Sequence, residues 1–349
     1  MEYHRAGVVK IASKSEHIDY FDWLRALGCA AVVLLHVLSI YINKHSVAAH
    51  SVRMFWTCEA DLILTRWAVP VFLMMSGTLL LDARKTVDYR RALGYARRMA
   101  AVLATFGFAF CVMEAAYRGS QNPLALGLKN LVCGRSWTHM WYVYTMMGIY
   151  LLLPVFKAFA DSASDRDYRT LLVVLFVLSC VVPSVNRVTG LSVESFVWLT
   201  SPCLYFFLGH YLHEHVLQAK RVAAVGLGAA LVAALLLGYG VVACHDVWKW
   251  VWTIDSPFIV GYSALVLVAS RHVFGNSANR VLRSVSARSF GIYIVHPLFL
   301  NLLYKVAGWG HVPLAPILHE IVTFGIVFAA SYLLSWVLSR IPLFAWMRF

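Results

Sequence analysis

An all-α polytopic membrane protein, with about ten transmembrane helices and both termini in the cytoplasm, is the fold class that this sequence predicts. Three observations predict it. Of 349 residues, 60% are hydrophobic and only 13% are charged, with mean hydropathy +0.69, about half the charged share of a soluble domain. The apolar residues gather into ten runs whose length suits helices rather than barrel strands. Lys and Arg alternate between plenty and scarcity from one connecting stretch to the next.

The ten spans fall at 20–42, 60–81, 97–117, 139–157, 169–185, 199–214, 221–243, 255–272, 287–307 and 314–339. Residues 1–19 are polar and no small-residue cleavage site follows the first run, so span one reads as a signal anchor behind a cytoplasmic segment. Twenty Lys and Arg lie on the side of the N-terminus and eight on the other, which puts both termini inside. The formal charge of +13 is therefore mostly a topology signal with anionic-lipid contact as a by-product, and its distribution argues against a nucleic-acid partner. The basic stretch 82–97 is expected as an interfacial helix. No repeat or linker divides 1–349, which reads as one integral membrane domain, with a monomer and a homodimer both open. The seven cysteines have no metal spacing, and no metal site is expected. Free thiols are expected, with a disulfide among Cys58, Cys133 and Cys244 at the outer face as the alternative.

Polar residues inside these spans are expensive and so informative. Span one carries Arg25 and His36, eleven residues apart. Eleven helical steps come within about 20° of three full turns, so the two side chains share a face, about 16 Å apart along the axis. Asp22 lies three residues before Arg25, in reach of an ion pair. In span two Arg66 is expected at a depth comparable with His36. Pro70 frees a backbone carbonyl and permits a kink, and Ser76-Gly77 permits close helix approach. Span three carries Glu114, which, with His319 and Glu320 in span ten, could orient an imidazole or neutralise Arg66. Span four opens with His139, Trp141 and Tyr142; the rings suit an interfacial belt or stacking on a sugar, and His139 could face an acceptor. In span nine His296 stands directly before Pro297, where it could satisfy the carbonyl that the proline frees or serve a chemical role. Glu194 and Asp255 read as solvated loop charges.

Four of these elements, in this order, resemble one family. Arg25-x10-His36, with Tyr20-Phe-Asp22 before it, resembles the Arg-x10-His signature of the membrane acyltransferase family 3. Arg66 through Gly77 is similar to that family's span ending Pro-x-Phe-x3-Ser-Gly, His139-Met-Trp141-Tyr142 to its His-Leu-Trp-Phe element, and Tyr293-Ile-Val-His296-Pro297 to its Tyr-hydrophobic-His-Pro element. The subgroup it resembles is the stand-alone bacterial O-acetyltransferases of surface polysaccharide, enterobacterial common antigen included, which lack an appended hydrolase-like outer domain. The resemblance implies acetyl-CoA as a cytoplasmic donor, a glycan or lipid-linked saccharide as acceptor, and a multi-pass protein of the bacterial inner membrane. On that reading Arg25 clamps the donor phosphates, His36 is general base or transient nucleophile, and Arg66 stabilises the oxyanion or holds the acceptor. Intramembrane cations and broken helices also suit the competing reading, a glycan transporter or flippase, for which inverted repeats would speak; none is seen.

Overall fold

The computed structural model describes residues 18–44, 60–215, 220–243, 251, 253–275 and 278–347. The expectations for the segment before residue 18 and for Cys58 and Cys244 lie outside them. Among the described residues there is no strand. Each expected span coincides with a helix: α1 (Asp19–Lys44), α2 (in two pieces, Ala60–Thr65 and Ala68–Leu80), α3 (Tyr89–Tyr117), α5 (Thr138–Ser162), α6 (Asp165–Thr189), α7 (Val197–His215), α8 (Lys220–Ala243), α9 (Pro257–Phe274), α10 (Arg280–Val306) and α11 (Pro316–Leu338). Among the described residues, eight are long and apolar enough to cross a membrane; α7 and α8 are the two outside that count. The chain is thus an all-helical multi-pass membrane protein.

Two short helices lie between the spans, α4 (Pro123–Val132) and α12 (Pro342–Trp346). The first starts at Asn122, whose side chain accepts from Ala125 N at 3.1 Å, with Pro123 in the first helical position. That Asn-Pro pair is a helix-start signal visible in the sequence. The stretch 82–97 is not a separate interfacial helix. Asp88 caps α3 by accepting from Arg91 N at 2.9 Å, so residues 89–97 are the first turns of that helix. Ala92, Ala96, Met99 and Val102 bury one face of it, and this stripe carries straight into the apolar run.

Helix α1 is the hub, packed against α2, α9, α10 and α11. Pro70 has no N–H to close the ladder onto the Arg66 carbonyl, and α2 breaks at Arg66-Trp67. Its second piece lies against α7 with almost no side chain between them. A Cβ on Gly77 would strike the Phe206 carbonyl, and one on Gly209 would strike the Met74 backbone. Thr78 Oγ1 donates to Gly209 O at 3.0 Å across the same crossing. Asp255 is buried and paired with Arg187 at 2.6 Å, not solvated; the loop folds back so that the end of α6 covers it. Glu194 is exposed and accepts from Ser195 N and Phe196 N. Cys29, Cys111, Cys133, Cys180 and Cys203 are free thiols.

Candidate active site

Three imidazoles from three helices meet inside the bundle. His36 comes from α1, His139 from the tight turn (Thr138–Met140) that opens α5, and His296 from α10. Ring centroids are 4.9 Å apart for His36 and His296, 5.6 Å for His139 and His296, and 6.5 Å for His36 and His139. The local chemistry that puts His296 there is the proline after it. Pro297 leaves the Tyr293 carbonyl without its ladder donor, and His296 Nδ1 donates to that carbonyl at 2.7 Å, with Ile292 O at 3.3 Å.

These bonds fix the tautomers. Carbonyl oxygens only accept, so His296 Nδ1 carries the proton and its Nε2 is an acceptor. His36 Nδ1 lies 2.9 Å from Val32 O and 3.1 Å from His296 Nε2, so it too carries a proton and shares it between the two acceptors. The consequence is that His36 Nε2 holds the lone pair. Among the described residues no hydrogen bond engages it. His139 Nε2 donates to Ile294 O at 3.2 Å, and the Tyr293 hydroxyl donates back to the His139 carbonyl. The crossed pair ties α5 to α10. Among the described residues no group of His, Cys, Asp or Glu is arranged to hold a metal ion. The Arg66 guanidinium, at the break in α2, is within electrostatic reach of His36.

Below the histidines a cavity of about 700 Å³ opens at the end of the bundle where α2 joins α3. Arg25, Arg84, Lys85 and Arg91 line it near the α2–α3 junction, Arg98 lines it further along α3 with its Nε buried, and Val69, Phe72, Tyr142 and Tyr293 line it toward the histidines. Asp22 pairs with Arg25, its Oδ1 3.6 Å from Nη1, and Ser286 Oγ on α10 donates to that same oxygen at 2.6 Å and so fixes the carboxylate. Lys85 Nζ donates to Leu79 O at 2.7 Å, and its partial burial holds the ammonium below the usual lysine range. Such a mouth suits a polyanion and such an interior an uncharged arm.

The other expected site residues go elsewhere. Glu114 accepts from Lys305 Nζ and Arg118 Nε, each at 2.8 Å, and from Trp137 Nε1 at 3.2 Å, so it does not reach the imidazoles. His36 is oriented by a second histidine and a backbone carbonyl instead of a carboxylate. His319 lies on Trp309 and Thr323 at the start of α11. His139 is buried at 3% exposure against α10 and does not face outward. Trp141 is exposed on the bundle surface, whereas its neighbour Tyr142 turns into the cavity. Arg84, Lys85, Arg91 and Arg98, whose charges the sequence offers as a topology signal, share the cavity with Arg25.

No solved structure matches the chain. A Bacillus subtilis (strain 168) protein named "Putative membrane-bound acyltransferase YfiQ" is 24% identical over 343 residues, covering 91% of this chain and 90% of the relative. Residues 18–340 match the family model described as an acyltransferase domain. That match takes in the helix of Arg25 and His36, the break at Arg66, the turn of His139 and the His296-Pro297 pair, and the chain belongs to the acyltransferase-domain family.

Proposed function

We propose that this membrane acyltransferase moves an acetyl group from acetyl-CoA to a hydroxyl of a cell-surface or lipid-linked glycan, a polysaccharide such as enterobacterial common antigen. The observation that carries the reading is the His36 tautomer, with a basic nitrogen held about 16 Å along α1 from an arginine at the mouth of a cationic cavity. The cation-rich end is the cytoplasmic end of a bacterial inner-membrane protein. Arg25, with the Arg84 to Arg98 cations, holds the nucleotide phosphates by charge-assisted bonds. The pantetheine arm is on the order of the distance from Arg25 to His36.

The acceptor hydroxyl oxygen attacks the thioester carbonyl while His36 Nε2 takes its proton. Arg66 stabilises the oxyanion that develops. The C–S bond then breaks, and His36 returns the proton to the leaving thiolate. His296 keeps Nδ1 protonated throughout and so keeps Nε2 basic. Direct transfer is the simpler course, because one base and one oxyanion donor suffice; an acetyl-His36 intermediate would use the same nitrogen.

Labelled acetyl-CoA, given to the protein in nanodiscs with and without an envelope glycolipid extract, tests the reading. Label on the glycolipid with wild type and none with His36→Ala supports it. No donor binding and no transfer in folded protein would overturn it and favour transport. Two variants refine it. Arg25→Ala should raise the donor KM about 10- to 100-fold, the worth of a charged hydrogen bond, and leave the acceptor KM nearly unchanged. His296→Ala should lower kcat roughly 10–100-fold, the scale seen when a partner that orients a functional imidazole is lost, with the donor KM unmoved.

A further inference from the structure

We infer that Phe72, Tyr142 and Tyr293 form a constriction between the donor cavity and His36 that admits a two-carbon acyl group and rejects longer ones. The inference rests on the acyl-transfer reading above and adds to it the basis of donor choice. Arg25 lines the cavity and none of the three histidines does, while these three rings, with Val69 one turn beyond Phe72 on α2, line the part of it that lies toward the histidines. A thioester carried up from Arg25 therefore has to enter between them to meet the His36 nitrogen.

The constriction is fixed in place from three sides. Phe72 rests on the α1 backbone: a Cβ on Gly28 would lie 3.2 Å from its ring edge. Gly28 is three residues beyond Arg25, about 4.5 Å further along the helix and still two turns short of His36. Tyr293 cannot swing away without breaking its bond to the His139 carbonyl, and that carbonyl belongs to the residue that bonds Ile294 in return. Tyr142 packs on Tyr293 edge to face, with centroids 5.6 Å apart and planes at 69°. Packed rings of this kind do not yield to an inserted methylene without strain. Phe72, Tyr142 and Tyr293 carry no positive charge, so a charged acyl terminus such as a succinyl carboxylate would find no countercharge among them.

The test compares acetyl-, butyryl- and hexanoyl-CoA in wild type and in Phe72→Ala, Tyr142→Ala and Tyr142→Phe, each checked for monodispersity and CoA affinity. Wild type should favour acetyl over hexanoyl by at least about 10-fold in kcat/KM, the discrimination a single methylene can give. Phe72→Ala or Tyr142→Ala should narrow that ratio about 10-fold at unchanged CoA affinity, and Tyr142→Phe, which keeps the ring, should leave it as it is. Equal use of all three donors by wild type would overturn the constriction and leave the acyltransferase reading intact. Discrimination that persists in both folded alanine variants would overturn it too, by placing selection elsewhere. Transfer from no donor, in protein that binds CoA, would overturn the reading beneath it.

Discussion

His36→Ala should lower the acyl-transfer rate about 10²- to 10⁴-fold, the contribution of a positioned general base, while the bundle stays folded. The size follows from the tautomer. Hydrogen bonding leaves His36 Nε2 basic and available, because Val32 O and His296 Nε2 both claim the Nδ1 proton. His139 donates to Ile294 O with Nε2 and is locked between α5 and α10, so it cannot move in to replace the lost base. The structural cost is modest. Val32 O belongs to the same helix and loses only an extra donor, and His296 Nε2 loses one bond, worth about 1–3 kcal/mol for a buried polar atom left unmade. Detergent-solubilised variant and wild type should therefore elute alike and bind donor alike, and differ in single-turnover rate. A variant that retained near-wild-type turnover would remove His36 from the chemistry.

The largest stability effect belongs to the crossing of α2 and α7. Gly77→Leu or Gly209→Leu should cost more than about 4 kcal/mol, in the range reserved for overpacking that cannot relax. At Gly77 the obstacle is the Phe206 carbonyl and at Gly209 it is the Met74 backbone. Main chain cannot rotate out of the way as a side-chain tip can. The two helices would part, and α2 carries both Arg66 and Phe72. Gly148→Ala on α5 is the control: its Cβ would meet no atom within 4 Å, so it should be neutral or stabilise by about 0.5–1 kcal/mol through helix propensity alone. Thermal unfolding and the yield of monodisperse protein separate the two cases.

Much of the bundle is legible in the sequence because a bilayer demands long apolar runs, and run length is a local property. The shared face of Arg25 and His36 follows from an eleven-residue spacing, and the pairing of Asp22 with Arg25 from a three-residue one. Pro297 marks a freed carbonyl, and His296 does bond it. What stays hidden is the partnership across helices. Nothing near His36 names His296, 260 residues away, as the group that sets its tautomer. Gly77 reads as a small residue fit for close approach, yet its counterpart is the Phe206 and Gly209 face of another helix. Glu114 looks in isolation like a carboxylate for His36, until the fold adds Lys305 from another helix to the Arg118 four residues away. The stretch 82–97 misleads because a charge count says nothing of the cavity that Arg84, Lys85 and Arg91 share with Arg25.

The most direct test of a donor cavity at the basic end feeding His36 uses sealed vesicles with the Arg84–Arg91 end facing outward. Labelled acetyl-CoA is added to the outside only, and early label on the glycolipid acceptor is measured for wild type and His36→Ala. Rapid labelling with wild type and a rate lower by about two orders of magnitude or more with the variant is the expected result. Equal labelling by the two proteins, or labelling only when acetyl-CoA is enclosed on the opposite side, would contradict the account.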